Sequence, residues 1–565
     1  MSIKVEKKIV GNLIGVTKPN FVDILVDPKI TRVKPLEIGE YVAIEYPGEV
    51  LEYEVLALII EIGLRNENIP DYLMRSPDSF TQLAQLGDLS DGERLIAKGR
   101  IVGYYDPNVK NVIYPRFPPI PGAAVYRASS ENLAQIFSAG HVKVGHLRAH
   151  PDVEVKLNVE ELIRRHTAIL AITGAGKGNT VAVISARILE LNGSVIIIDP
   201  HEEYPEMRNL YKSNPNSIRV FCPGGDRAKG YFPIYFRWNN FGTEEIFDIL
   251  EIREGATYQR GLVQQVLERL EGSNWDIDDF EREIDQFVLG EDSLTEEERK
   301  EYQKQTKQYI GPRIAIKDHI KGIRETEILN KFNETPIFED GTASLVSKGQ
   351  ITVICLSGLP IRVQQVIVGR ISKKIYEAGV AWRRNFENVP KLPSPTFLII
   401  EEAHNFIPAD GGSKSTAPIS RIAAEGRKFG IGLCIVSQRP NKIDQNVLSQ
   451  CNSQIILKIV NPKDQAQIEN SCEAISNELM QDLPSLNKGE AIIVGSCILL
   501  PALVKIEKFW GTLGGDDIQI LNFWTKGQEE KKDQVGREGQ KDEREKRRDK
   551  RRAETQKFEK TGPLI

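Results

Sequence analysis

The sequence predicts an α/β protein with a buried parallel sheet, a β-rich region before that sheet and a helical insertion within it. Residues 1–150 contain short runs rich in β-branched residues, split by Pro, Gly and Asn. Residues 150–235 alternate strand and helix patterns, and residues from about 243 to 340 are highly charged with helical periodicity. Alternating strands and helices are typical of a parallel sheet covered by helices.

The chain has 565 residues, which suggests several domains rather than one core. We predict an N-terminal β-barrel with its linker (1–150), the first part of an ATPase core (151–242), a helical insertion (243–345), the second part of the core with closing strands (346–525) and a charged tail (526–565).

The N-terminal region predicts a small barrel or sandwich. Its strand-like runs include IVGNLIGV from residue 9, FVDILVD from residue 21 and EVLEYEVLALIIEI from residue 49. Short strands separated by turn residues are typical of both folds. Prolines at residues 118, 119 and 121, followed by Gly122, force the chain to extend and turn, which marks a boundary.

The helical insertion contains Thr295 followed by Glu298, the spacing of a helix capping box. The tail from residue 526 mixes charges of both signs. Such runs are usually solvated or disordered, and we prefer that interpretation to an arm that binds nucleic acid.

Composition gives few restrictions on function. The net charge of −5 offers no overall basic field for nucleic acid, although a ring can carry a locally basic pore. Six scattered cysteines form no CxxC pair, so neither zinc nor a disulfide framework is expected. The sequence contains no signal-peptide pattern and no apolar run of about 18 residues, so we expect a cytoplasmic protein without a membrane span.

A diverged P-loop follows the first predicted strand of the core. Residues 171–180 read AITGAGKGNT, where the pattern G-x-x-x-x-G-K-[ST] has Ala171 for its first glycine and Gly178 for its final hydroxyl residue. The loop's backbone N–H groups and the helix N-terminus would surround the phosphates of ATP. The predicted nucleotide-binding residues here are Thr173, Gly174, Ala175, Gly176, Lys177, Gly178, Asn179 and Thr180.

The missing hydroxyl removes the usual protein ligand of Mg²⁺. We expect phosphate oxygens, waters and Glu401 to hold the ion, because Mg²⁺ normally keeps several waters. Asn179 and Thr180 should point around the helix rather than toward the metal.

Three further strands end in polar residues, as expected of a ligand site at the carboxyl edge of a parallel sheet. Residues 395–400 form an apolar run that ends in Glu401 and Glu402, the arrangement of a Walker B motif. Glu401 would hold the metal and Glu402 would activate water; the alternative is a pair of acids that merely cap a strand. Asp199 could tune the metal or water, or be an ordinary turn residue, and Gln438 would suit a γ-phosphate sensor.

These segments together resemble HerA, the hexameric DNA translocases of the FtsK/HerA branch of RecA-like ATPases. The matching segments are RHTAIL from residue 165, TGAGKGNT from 173, DPH from 199, LSGLP from 356, EEAHNFIP from 401, IAAEGRKFG from 422, SQRPN from 437 and LSQCN from 448. Ala171 and Gly178 depart from the family pattern.

The resemblance implies a RecA-like core, an N-terminal HAS barrel and a homohexamer with ATP sites between subunits. It assigns Arg427 as the arginine that acts across the interface, with Arg165 as a second candidate. A guanidinium from a neighbour would stabilise charge on the transferred phosphate. The alternative for both is a surface salt bridge.

DNA contact is expected from loops facing the ring's pore. Residues 223–230, with Arg227 and Lys229, and residues 410–416, with Lys414, carry cations among flexible residues. Such groups grip phosphates without reading sequence. The alternative is an exposed loop without function.

Three functions remain open. The first is an ATP-driven DNA translocase or helicase that, by resemblance, works with a NurA-type nuclease in resecting DNA ends, with the barrel as the docking surface. The second is a nucleotide-binding ring that hydrolyses little ATP and acts as a nuclease scaffold, for which Gly178 is the motive. The third is a membrane-coupled DNA pump, and the lack of an apolar run of membrane-spanning length in this sequence argues against it.

Overall fold

The computed structural model describes residues 9–27, 34–46, 54–66, 93–211, 214, 216–226, 228–291, 293–328, 345–387, 389–472, 475–514 and 548–552. The chain divides into two compact units, residues 1–514 and 515–565. In the second unit only residues 548–552 are described, and they are helical. The rest of the predicted charged tail lies outside the described residues.

The N-terminal strands form a closed barrel. The strands are β1 (Ile9–Ile14), β2 (Phe21–Val26), β3 (Tyr41–Ile44), β4 (Val55–Asn66), β5 (Glu93–Asp106), β6 (Asn111–Ile113) and β7 (Ala124–Arg127). Their order is β2-β1-β7-β3-β4-β5-β6, and an additional pairing of β2 with β5 closes six of them into a ring. Closure leaves those six strands without a free edge.

Two barrel strands are buried on both faces. In β3, Val42 and Ile44 point into the barrel core, whereas Tyr41 and Ala43 pack against the core of the rest of the unit. The same alternation continues through β4, from Val55 to Ile60. Because successive side chains of a strand point to opposite faces, one apolar run serves two cores.

The second sheet has 12 strands in the order β13-β12-β14-β11-β15-β16-β10-β17-β18-β19-β8-β9. Its strands are β8 (Val142–Leu147), β9 (Glu154–Leu157), β10 (Thr167–Leu170), β11 (Ser194–Asp199), β12 (Ile218–Pro223), β13 (Phe232–Ile234), β14 (Gln350–Cys355), β15 (Thr396–Ile400), β16 (Ile431–Ser437), β17 (Ser453–Ile456), β18 (Glu490–Gly495) and β19 (Ala502–Ile506). Strands β10 to β17 run parallel, as predicted.

The predicted closing hairpin is present, since β18 pairs antiparallel with β19. Beside it, β8 pairs with β19 and β9 with β8. The sheet therefore begins at Val142, before the predicted start of the core at residue 151. An antiparallel partner is supplied from the N-terminal side of the chain to cover the edge that β19 would otherwise expose.

Among the described residues of the first unit, the α-helices are α1 (Ser130–Phe137), α2 (Val159–Arg164), α3 (Lys177–Glu190), α4 (Thr243–Ile249), α5 (Thr257–Leu270), α6 (Ile277–Leu289), α7 (Glu296–Gln305), α8 (Ile310–Glu325), α9 (Ile361–Arg384), α10 (Thr416–Glu425), α11 (Gln445–Ser449), α12 (Pro462–Ser471) and α13 (Asn477–Asp482). Helices α4 to α8 form the predicted insertion between β13 and β14. The Thr295–Glu298 capping box is confirmed at the start of α7. Together these elements confirm the predicted α/β core with an N-terminal barrel and a helical insertion.

Five of the six cysteines are buried and Cys222 is partly buried. They lie within the packed interior, where a free cysteine serves as a small core residue. Within the described ranges, no helix is long and apolar enough to cross a membrane.

Candidate nucleotide-binding site

The parallel strands bring the predicted site residues to one edge of the sheet. Strand β10 lies between β16 and β17, and β16 separates it from β15. Register pairs Leu170 with Ser437, so the P-loop and Gln438 leave the sheet at the same level. Register likewise pairs Ile400 with Ile198, which places Glu401 beside Asp199. The four strand ends predicted to converge do so.

The P-loop has the backbone that its glycines predict. Gly174 and Gly176 have φ values of 79° and 111°, in the left-handed region that favours glycine. Helix α3 begins at Lys177 directly after Gly176. Ala171 is not among the described residues with positive φ, so it replaces the first glycine without strain. The loop therefore presents a helix N-terminus at the sheet edge, as an anion site requires.

Lys177 holds both predicted acids. Its Nζ lies 2.8 Å from Glu401 Oε2 and 2.6 Å from Glu402 Oε1. All three side chains are nearly buried, at 12% exposure or less. Burial alone would lower the pKa of Lys177, but the two carboxylates outweigh it and raise that pKa. The lysine is therefore a fixed cation between two acids.

Glu402 occupies an unusual backbone position. It has a φ of 48°, which a non-glycine residue rarely adopts, at the turn that follows β15. Its Oε2 lies 3.3 Å from His404 Nδ1, which is also 3.1 Å from Ser437 Oγ. Burial lowers the pKa of His404. Strained positions of this kind cluster at functional sites.

Gln438 faces the P-loop. Its Oε1 accepts a hydrogen bond from the Thr173 hydroxyl. The side chain predicted as a γ-phosphate sensor therefore contacts the loop that would surround that phosphate.

The carboxylate of Glu203 fills the space beside Gly178. A Cβ placed at Gly178 would overlap Glu203 Oε2 and would lie 3.6 Å from the Tyr204 hydroxyl oxygen. Tyr204 is fully buried and donates its hydroxyl to Glu401 Oε1. Sequence reasoning missed both residues. The available signal was their place after Asp199, in a loop that follows a strand ending at this edge.

Asp199 lies at the predicted strand end, but its carboxylate faces its own loop. It accepts hydrogen bonds from the backbone N–H groups of His201 (3.2 Å) and Tyr204 (3.0 Å). Burial raises its pKa to about 7, against those hydrogen bonds. Of the two predicted alternatives, a group that tunes the metal or water and an ordinary turn residue, these hydrogen bonds match the turn residue, and they shape the loop that carries Glu203.

Asn179 and Thr180 point away from the phosphate position, as predicted from helix geometry. Asn179 Nδ2 donates to Glu507 O (2.9 Å), and its Oδ1 accepts from Phe509 N–H (2.8 Å). The Thr180 hydroxyl donates to Gly176 O (3.0 Å). Their side chains therefore support the loop and the segment after β19, although both were predicted to bind the nucleotide.

Arg427 and Arg165 lie at the opposite edge of the sheet. Arg165 precedes β10, and Arg427 precedes β16. At about 3.3 Å per residue, the length of β16 separates Arg427 from the P-loop edge by roughly 20 Å. Arg165 forms an ion pair with Glu161 (2.9 Å), which matches the predicted alternative for that residue. Arg427 is exposed and has no ion-pair partner among the described residues. Neither arginine reaches the P-loop of its own chain.

The two loops predicted to contact DNA differ in what their cations contact. Lys229 is 66% exposed and lies 3.6 Å from Asp226. Lys414 pairs with Asp248 (3.6 Å) and Glu244 (3.9 Å) of helix α4. Arg227 lies outside the described residues.

The site fits Mg²⁺ only in the company of phosphates. In the described part of the chain, no cluster of three or more His, Cys, Asp or Glu is arranged to hold a metal alone. Two buried oxygens, Glu401 Oε2 and Glu402 Oε2, nevertheless lack a hydrogen bond. Glu401 Oε2 lies 2.8 Å from Lys177 Nζ and Glu402 Oε2 lies 3.3 Å from His404 Nδ1, and a carboxylate oxygen can accept from more than one partner, so both oxygens retain capacity for a cation or a water.

Comparison with known proteins finds relatives that match most of this chain. The family model described as "Helicase HerA, central domain" matches residues 142–375. A "DNA double-strand break repair helicase HerA" of Sulfurisphaera tokodaii is 32% identical over 533 residues, which cover 92% of this chain and 97% of that protein. A probable helicase of Methanocaldococcus jannaschii is 32% identical over 500 residues, covering 87% of this chain and 90% of that one. Among solved structures, VirB4 of Thermoanaerobacter pseudethanolicus is 16% identical with a TM-score of 0.46, over 66% of this chain and 98% of that chain.

Proposed function

The chain belongs to the HerA helicase family, and on that premise we propose that it is an ATP-dependent DNA helicase that acts in double-strand break repair. Within that role it is a translocase that works as a homohexameric ring and prepares DNA ends with a NurA-type nuclease. The observation that carries the proposal is the contact of Lys177 with both Glu401 and Glu402 at the P-loop edge.

This contact suggests how ATP engages the site. The phosphates of ATP attract Lys177 away from the two carboxylates, because a P-loop lysine reaches the β- and γ-phosphates. Glu402 is then free to orient the attacking water and accept its proton. Gln438 responds to the presence of the γ-phosphate, because its side chain contacts Thr173 of the P-loop. Glu401 would hold the Mg²⁺ that accompanies ATP, and that ion would supply positive charge to offset the phosphate oxygens.

The position of Arg427 supports a site shared between two copies. An exposed arginine without an ion-pair partner in the described chain, far from its own P-loop, is suited to reach the site of a neighbour. Hydrolysis then depends on assembly, because the arginine stabilises charge that develops on the phosphate.

DNA passes through the ring and is held by its phosphates. Lys229 and Lys414 follow strands that end at the nucleotide edge, so hydrolysis there can move them. The nuclease docks on the barrel surface that faces away from the core. The opposite side of the barrel is occupied, because Tyr41, Ala43 and their neighbours pack against the core.

Gly178 favours one alternative, a nucleotide-binding ring that serves as a nuclease scaffold and hydrolyses little ATP. The retained set of Lys177, Glu401, Glu402 and Gln438 argues for the motor, because a scaffold would not need a water-activating acid.

The test is strand displacement from a tailed DNA duplex. We expect ATP to support displacement and a non-hydrolysable ATP analogue not to. Lys177→Ala is the control and should abolish displacement. Tight binding of ATP without displacement under any condition would contradict the helicase and favour the scaffold.

A further inference from the structure

This chain lacks the P-loop hydroxyl because residue 178 is glycine. The space beside Gly178 is nevertheless occupied by another side chain. In the described structure the Glu203 carboxylate stands where a side chain at residue 178 would begin. Its Oε2 and Cδ and the Tyr204 hydroxyl are the nearest atoms to that position. A serine or threonine at residue 178 would collide with the carboxylate in this position, so the Glu203 side chain would have to move before residue 178 could carry a hydroxyl.

The loop that carries Glu203 is held from several directions. Asp199 accepts hydrogen bonds from His201 and Tyr204 on either side of it. Glu202 has a φ of 59°, so the chain reverses sharply just before Glu203. The Glu203 carbonyl accepts a hydrogen bond from Gly514 N–H (2.8 Å). These contacts fix the backbone and leave only the side chain free to move.

The surroundings of this carboxylate suit a cation. Glu203 is partly buried, and no hydrogen bond to its carboxylate is formed by any described residue. Its charge interacts with that of Glu401, which is 3% exposed and whose Oε2 lies 2.8 Å from Lys177 Nζ. Two carboxylates whose charges interact in a partly buried site repel each other unless a positive charge offsets them. Lys177 supplies that charge in the structure, and it is the group expected to leave for the phosphates.

We propose that Glu203 supplies to the Mg²⁺ of bound Mg–ATP the oxygen ligand that Gly178 lacks. The proposal rests on ATP being the ligand of this site. Its consequence is chemical: a charged carboxylate replaces a neutral hydroxyl, and it comes from the loop after β11 instead of from the P-loop itself. Nucleotide binding should accordingly depend more on Mg²⁺ than in a site with the usual hydroxyl.

The experiment measures the affinity of the full-length protein for a non-hydrolysable ATP analogue, by titration in EDTA and at increasing Mg²⁺. Glu203→Ala should bind the metal-free analogue at least as tightly as wild type, because a negative charge near the phosphates is removed. Its affinity gain from Mg²⁺ should fall by about tenfold or more, in the range seen when groups that support a metal are lost. Binding in EDTA also shows that each variant is folded.

Two further variants sharpen the result. The double variant Gly178→Ser with Glu203→Ala restores the hydroxyl at residue 178 and removes the carboxylate that would collide with it. This variant should recover the gain in nucleotide affinity that Mg²⁺ gives. Glu202→Ala removes a neighbouring acid that is exposed, and should leave that dependence unchanged.

An unchanged Mg²⁺ dependence in Glu203→Ala, with normal binding by wild type, would overturn this proposal alone. Failure of wild type to bind the analogue at any Mg²⁺ concentration would overturn both this proposal and the proposed function.

Discussion

His166 connects β10, the strand before the P-loop, to the neighbouring strand β16 at the sheet edge opposite the P-loop. It is buried, has a φ of 54°, and accepts a hydrogen bond at Nδ1 from Leu433 N–H (3.0 Å). Burial lowers its pKa to about 4; nearby Arg427 lowers it too, and a hydrogen bond with the Ala423 backbone raises it. The folded chain therefore requires the neutral imidazole.

This requirement predicts a loss of stability in acid. The unfolded chain binds a proton near pH 6.5 and the folded chain only near pH 4, so the contribution of His166 is complete above pH 6.5 and is lost as pH falls to 4. The loss should approach about 3 kcal/mol in the free energy of unfolding. His166→Asn, which tolerates a left-handed φ and does not titrate, should lack this part.

Denaturant unfolding at several pH values measures the difference between the two proteins. The comparison is needed because Asp199, with its raised pKa, acts in the opposite sense and loses stability as pH rises from about 4 to about 7. If the free energy of unfolding had the same pH dependence in wild type and His166→Asn, the loss of stability in acid could not be assigned to His166.

At the residue scale, the chemistry of the site could be predicted where residue type and strand position suffice. Lys177, Glu401 and Gln438 follow apolar strand patterns and meet at one edge. Glu203 could not be predicted, because its carboxylate reaches Gly178 only through the fold of its loop. The two alternatives for Asp199 could not be separated from the sequence for the same reason: a strand-end acid can face either the site or its own backbone.

At the element scale, the sequence does not reveal what covers the apolar runs that form β3 and β4. Alternation in these runs is hidden, because one face fills the barrel and the other packs on the core. The pairing of β8 with β19 was unpredictable for a similar reason: it joins segments more than 350 residues apart, and no local pattern records such a contact.

Tyr41 is the test of this contact between barrel and core. Its ring packs on Phe137 with centroids 5.4 Å apart, and its hydroxyl donates to Pro501 O. Tyr41→Phe should cost about 1 kcal/mol by leaving that carbonyl without its donor. Tyr41→Ala should cost about 3–5 kcal/mol because it also opens a cavity.

Thermal unfolding of both variants measures these costs. Tyr114→Ala is the matched control, since Tyr114 is 63% exposed and its loss should be nearly neutral. A Tyr41→Ala protein as stable as the control would show that the barrel does not depend on this contact.

At the scale of the whole molecule, the fold separates Arg427 from the P-loop of its own chain by the length of a strand. We predict that Arg427→Ala lowers ATP hydrolysis by about a thousandfold while leaving ATP binding intact. Lys428→Ala, at an exposed cation in the same turn, should have little effect.

Mixing inactive proteins decides whether Arg427 acts in its own chain or in a neighbour. Arg427→Ala and Glu402→Gln chains, each inactive alone, should regain hydrolysis when assembled together. A mixed ring places the intact Arg427 of one chain at the intact Glu402 of the other. No recovery in mixed assemblies would contradict the shared site.

The central claim is that this diverged P-loop drives a DNA motor. Steady-state ATP hydrolysis, measured with and without linear duplex DNA and beside Glu402→Gln, tests it most directly. We predict turnover that DNA stimulates and that the Glu402→Gln variant lacks. ATP binding with turnover no higher than that of Glu402→Gln, whether or not DNA is present, would contradict the claim.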